Sequence, residues 1–290
     1  MKTFGGAWTD EKLDRVAKYL KAYNLALKAK PSPARPFVRM YIDAFAGSGY
    51  RTPRSGEYPS LLKEAEPLAK GSARIALEVV PPFNHYIFIE ANRSRFERLS
   101  ALGDEFGDHA AKIDFIHGDA NDSIARICRG TDWQRTRAVV FLDPFGMQVD
   151  WTTIEEIAAT RAIDLWYLVP TGTGLSRLLP RNAKFGPGWE KRITAMTGDK
   201  NWRPVFYPPR PDQDLFGERI VKVRSASIES IEQYFLRRLR TCFAGVAPRG
   251  VRLGPKDKAP LYLLTFACAN PHPKALALAL KIAGYVIDNP

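Results

Sequence analysis

The stretch Phe37-Val38-Arg39-Met40-Tyr41-Ile42-Asp43-Ala44-Phe45-Ala46-Gly47-Ser48-Gly49 decides the fold. Its first half is nearly all apolar up to Asp43, which predicts a short strand over residues 37–45. An apolar strand of this kind is buried on both faces, as in a parallel sheet covered by helices. Its second half is a Gly-x-Gly turn. Glycine there lets the backbone bend tightly and approach a ligand closely. The turn lacks the third glycine of the dinucleotide spacing and the Lys-Ser/Thr of a phosphate-gripping loop. An ordinary turn is therefore the alternative, and the acid at the strand end weighs against it.

Working outward, the same alternation recurs. Short apolar runs at 85–90, 113–116, 138–142 and 163–169 predict four more strands. Helical periodicity at 71–80, 93–102, 122–128 and 152–159 places a helix after each of the first four strands. Strand–helix alternation implies βαβ units and a parallel sheet with helices on both faces. An amphipathic helix over 10–29 precedes it, and Pro31, Pro33 and Pro36 end that helix. Beyond 170 the pattern loosens. Residues 171–222 carry short helical pieces among many Gly, Pro and Arg. A helix over 226–242 follows, then an antiparallel pair at 250–253 and 261–268, and a last helix over 273–283. The organisation expected is an N-terminal helix and linker (1–36), a core (37–170), an inserted basic cap after the fifth strand (171–222) and a completion of the core sheet (223–290).

The 290 residues carry 43 Lys plus Arg against 31 Asp plus Glu, a net charge of +12. With 45% hydrophobic residues the chain can bury a real core, which excludes a disordered basic tail. Three scattered cysteines form no CxxC pair, so neither a zinc ribbon nor a disulfide framework is expected, and no metal site. No apolar run is long enough to span a bilayer, and the N-terminus has no signal-peptide pattern. A cytoplasmic protein with no membrane partner is expected. Residues 177–252 hold 16 basic and 7 acidic side chains, so the charge surplus is concentrated there. A focused basic stretch favours a polyanion, most simply nucleic acid, over an acidic protein partner. Arg177, Arg181 and Arg192, interleaved with Phe185, Trp189 and Trp202, are placed to grip phosphates and stack bases, and Arg51 and Arg54 follow the glycine turn. For each tryptophan taken alone, core packing is the stronger expectation.

Four motifs end four successive strands, where ligands bind in open α/β sheets. Phe45, Ala46, Gly47 and Gly49 follow Asp43. Glu90 ends the second strand, where a carboxylate can take both hydrogen bonds of a ribose diol; helix capping is better served by Asn92 or Ser94. Asp119 and Ala120 follow the third strand, and either adenine recognition or helix capping suits Asp119. Asp143-Pro144-Phe145-Gly146 ends the fourth. There Asp143 can position an acceptor and Phe145 offers a flat face, unless that ring is simply buried. The four histidines look structural.

Taken together, this order of motifs resembles the class I S-adenosylmethionine-dependent methyltransferases. More specifically, the chain resembles the three-Cys-motif partner family. The likeness runs from residues 41–49 through Gly71-Ser72-Ala73-Arg74-Ile75-Ala76-Leu77, Phe88-Ile89-Glu90, Gly118-Asp119-Ala120-Asn121 and Phe141–Gly146, and on through 151–154 and 163–165 to 262–267. A wider likeness, over 43–58 and 71–75, is to ribosomal-RNA adenine-N6 methyltransferases. Their Asp-Pro-Pro-aromatic motif is matched here by Asp143, Pro144, Phe145 and Gly146, with Phe and Gly in place of the second proline and the aromatic residue.

The resemblance implies a Rossmann-like, mostly parallel seven-stranded sheet and S-adenosylmethionine as cofactor. It implies Gly47 and Gly49 at the methionine end, Asp43 orienting that loop or the ammonium, Glu90 on the ribose, and Asp119 with Ala120 on the adenine. It places Asp143, Pro144 and Phe145 at the transferred methyl, with an adenine-N6 or other base position as acceptor. The family's name also implies a second class of function, a binding subunit of a three-Cys-motif protein of phage type with radical-S-adenosylmethionine-like character.

Overall fold

The computed structural model describes residues 7–51, 69–107, 112–176, 179, 186–214, 217–222, 226–256 and 258–289. Helix α1 (Ala7–Leu27) opens the chain, with Leu13, Val16, Tyr19, Leu20 and Tyr23 buried along one stripe. Strands β1 (Val38–Asp43), β2 (His85–Glu90), β3 (Lys112–His117), β4 (Thr136–Leu142) and β5 (Ile163–Val169) are mutually parallel where they pair. The short strands β6 (Gly245–Val246) and β7 (Val251–Leu253) and the long β8 (Tyr262–Cys268) complete the sheet.

The sheet order is β3-β2-β1-β4-β5-β8, and β6 and β7 both pair with β8 on its far side from β5. Strand β8 is antiparallel to β5. This is the Rossmann-like, mostly parallel α/β architecture predicted from the sequence. The seventh position is shared by two short segments, giving eight strands. The chain builds outward from β1 to β3, then returns to place β4 beside β1. That reversal makes β1/β4 the topological switch point, and its crevice lies beyond the strands' carboxyl ends.

The pleat sorts the strand residues into two layers. Met40, Ile42, Val140, Leu142, Leu165 and Tyr167 point to one face, against helices α5 (Ala120–Gly130), α6 (Trp151–Ala159), α7 (Pro187–Thr197), α8 (Trp202–Phe206) and α9 (Ile228–Arg240). Tyr41, Val139, Phe141, Trp166 and Leu168 point to the other. There they meet α1, α2 (Ser72–Leu77), α3 (Arg93–Ser100), α4 (Leu102–Glu105) and α10 (Pro273–Asp288).

Some boundaries differ from the sequence reading for clear reasons. Helix α2 stops at Leu77 rather than residue 80, because Val80 precedes Pro81 and is pushed out of helical conformation. Helix α10 runs five residues past the predicted end, because Val286 and Ile287 bury against the second layer. A two-stranded ribbon, Pro209–Asp214 with Gly217–Lys222, was not predicted. Its prolines suit only an edge pairing, so it lacks an apolar strand signature.

Candidate functional site

The glycine turn is fixed on both sides. The Ala44 N–H donates to the Phe141 carbonyl (3.2 Å) and the Ala46 N–H to Ile89 (3.0 Å). Gly47 and Gly49 have φ of +65° and +75°, the left-handed region that favours glycine. Open space faces Gly47. Gly71 donates to the Gly49 carbonyl at 2.9 Å, and a Cβ on Gly71 would sit 2.7 Å from that carbonyl. The turn therefore closes by direct backbone contact onto the start of α2.

Asp43 ends β1 with no solvent exposure. Its Oδ1 accepts from the Phe45 N–H (3.1 Å), while its buried Oδ2 has no partner in hydrogen-bonding geometry among the described residues. Burial pushes its pKa from 3.8 up to about 7; Ser72, the Phe45 N–H and Lys12 offset this in part, and Asp143 adds to it. A buried acceptor oxygen without a donor is costly. A ligand ammonium or N–H would satisfy it. The residues present thus fit the methionine end of S-adenosylmethionine.

Glu90 is buried at the end of β2, and its Oε1 accepts from the Asn92 N–H (2.7 Å). Asn92, not Glu90, caps α3 by accepting from the Arg95 N–H. Asp119 does cap α5, with Oδ1 accepting from Asn121 (2.8 Å) and Asp122 (3.2 Å). Asp119 is exposed and Ala120 is buried in the first layer. His117 stacks on Phe96 (5.0 Å) with a ring nitrogen 3.1 Å from the Ala91 carbonyl.

Asp143 lies two residues past Phe141, the partner of Asp43 in the β1/β4 register. Pro144 is buried, Gly146 takes φ +98°, and Phe145 is exposed. The exposed ring corrects the buried alternative. Arg95 of α3 lies over it at 5.1 Å. The sequence reading missed two members of this end of the sheet, Arg95 and Lys12. The Lys12 ammonium forms a short ion pair with Asp143 Oδ2 and sits 5.8 Å from the Trp8 and Phe141 rings. Lys12 is 4% exposed, on the buried stripe of α1, one turn after Trp8. A lysine in that stripe was the signal available.

The basic candidates divide. Arg54, Arg177 and Arg181 lie outside the described residues, as does Phe185. Arg51 sits in a short strand, Tyr50–Arg51, paired with Ala69–Lys70. Arg192 is corrected: its Nη1 pairs with Asp150 (2.6 Å) and its Nε with the Met147 carbonyl, tying α7 to the loop after β4. Trp202 is buried in the core, as the packing reading of the tryptophans expected, while Trp189 is exposed. Arg203 pairs with Glu190, and Arg252 with Glu232, so part of the late basic surplus is neutralised locally. Among the described residues no group of three or more His, Cys, Asp or Glu is placed to hold a metal, and no helix is long and apolar enough to cross a membrane.

No protein-family model and no curated protein matches the chain. Among solved structures it is similar to Trm1 from Pyrococcus horikoshii in complex with S-adenosyl-L-methionine (14% identity, TM-score 0.49, covering 92% of this chain and 56% of that one). It is also similar to protein LPL1258 from Legionella pneumophila str. Philadelphia 1 (11%, 0.48, 95% and 92%) and to the N-terminal domain of EvdMO1 with S-adenosylhomocysteine and D-fucose (10%, 0.39, 87% and 81%). The chain spans little over half the length of Trm1. At these scores and identities the strand order, not the likeness, carries the fold.

Proposed function

We propose that the chain is an S-adenosylmethionine-dependent methyltransferase that acts on nucleic acid at an adenine-N6 or other base position. The observation that carries this is the buried Asp43 Oδ2, without a partner in hydrogen-bonding geometry among the described residues, at a glycine turn near Asp143 at the switch point. When bound, S-adenosylmethionine supplies an electrophilic methyl group on a sulfonium. Asp43 offers its oxygen to the ammonium, Gly47 leaves its backbone open, Glu90 takes the ribose diol, and Asp119 with Ala120 meets the adenine.

Asp143 accepts a hydrogen bond from the acceptor amine and fixes its lone pair in line with the methyl. Phe145, with Arg95 across it, offers a stacking face for a base at the mouth. In this reading the described part of the 171–222 stretch meets the acceptor, with Trp189 exposed on it. A tritiated-methyl assay on RNA, DNA and protein fractions tests this reading. Label is expected in nucleic acid and lost in D143N; label in protein alone would contradict it.

One observation favours a second reading, a partner-dependent subunit of a three-Cys-motif protein in the cytoplasm. Lys12 already holds Asp143, so the acceptor position is engaged within the chain. In this reading the partner moves the first turns of α1, and labelling occurs only when it is added.

A further inference from the structure

The opposite end of the sheet carries a second site. A cavity of about 540 Å³ opens at the amino ends of the parallel strands, between α1, the loop after it, and the start of α10. That volume is in the range of small-molecule pockets. Its walls are mainly apolar: Tyr23 and Leu27 from α1, Phe37 before β1, and Leu278 and Ile282 from α10. None of these residues belongs to the site at the carboxyl ends.

The polar groups are few and ordered. Asp164, at the start of β5, is buried and accepts from the Tyr19 hydroxyl at 2.6 Å. Among the described residues it is the only acid lining the cavity, and burial pushes its pKa from 3.8 to about 6. Arg137, at the start of β4, also lines the cavity; its Nη1 donates to the Trp133 and Thr136 carbonyls, and its guanidinium lies 4.1 Å from the Phe37 ring centre. Lys30, Lys274 and His272 lie on the exposed rim. With Asp164 balanced by Arg137, the two lysines leave the lining net positive. An apolar chamber with a cationic rim is complementary to an apolar body bearing one anionic head.

We propose that this cavity binds a small amphipathic anion, its apolar body between α1 and α10 and its carboxylate or phosphate head between Lys30 and Lys274. The test is calorimetric titration of the full chain with decanoate, decyl phosphate, decanol and decyltrimethylammonium, each below its micellar concentration. At least one of the two anions is expected to bind saturably at one site, with decanol and the cation about ten-fold weaker or more. Which anion binds tighter distinguishes a carboxylate from a phosphate ligand. The K30E/K274E double variant, both positions being exposed, is expected to lose about ten-fold in anion affinity with its melting temperature unchanged. Ala275→Trp, which fills the chamber beside Leu278, is expected to abolish binding. Absence of saturable binding by both anions, equal affinity for the cation, or anion affinity unchanged in both variants would overturn the proposal.

Discussion

Lys12 on α1 and Asp143 beyond β4 form an ion pair across 131 residues of chain, with Lys12 almost fully buried. The pair joins the helix that precedes the sheet to the residue that the sequence marks as positioning an acceptor. Removing one partner of a buried pair leaves the other charge without compensation. In a double-mutant cycle of K12M and D143N, read by denaturant unfolding, a coupling of about 1–3 kcal/mol is expected. A cycle that closes to zero would mean that the two side chains are energetically independent.

The pKa of Asp43 sets a pH dependence whose sign is fixed. The unfolded carboxyl ionises near 3.8 and the folded one near 7. Between these values the folded state holds the proton more tightly, so stability falls as pH rises from about 4 to 7 and then levels. D43N removes this loss. Its melting temperature should exceed that of the unsubstituted chain by several degrees at pH 8 and match it near pH 4. Equal melting temperatures at pH 8 would show that Asp43 is not destabilised by burial.

Gly71 is held against the Gly49 carbonyl, where a methyl group would collide with backbone at 2.7 Å. G71A should cost about 1–3 kcal/mol, because backbone cannot yield as a side chain can. Thermal unfolding of G71A beside G47A separates the effects. G47A meets no neighbouring atom and carries only the cost of its positive φ.

Arg192 and Trp189 lie on the same helix, the first ion-paired to Asp150 and the second exposed. R192M should lower the melting temperature, because it releases α7 from Asp150 and Met147. It should leave the salt slope of nucleic-acid binding unchanged, since the Arg192 charge is already paired with Asp150. W189A should leave the melting temperature unchanged and weaken binding by about 1–3 kcal/mol if a base stacks there.

Four of the five parallel strands were legible because a strand buried on both faces is a short apolar run, and β4 and β5 are nearly pure examples. The edge strand β3 is only partly buried and was marked by Ile113, Phe115 and Ile116 alone. The positions of Asp43, Glu90, Asp119 and Asp143 followed, since each is a polar residue that ends such a run. What escaped depends on contacts distant in sequence. Lys12 has meaning only once α1 lies over the switch point. Arg192 looked like a ligand residue, and Trp202 stood between core packing and base stacking, because composition cannot tell a buried aromatic or an ion-paired arginine from a free one. The two-stranded ribbon, Pro209–Asp214 with Gly217–Lys222, escaped because its pairing is made by backbone and its sequence, rich in proline and charge, carries no apolar strand signal.

Titration calorimetry of the purified chain with S-adenosylmethionine and S-adenosylhomocysteine tests the central claim most directly. Saturable binding at one site is expected, tightening as pH rises through 7 while Asp43 ionises, and weakened about ten-fold or more by E90A and by D43N. No heat of binding with either ligand across pH 6–8, in a chain that is folded by circular dichroism, would contradict the account.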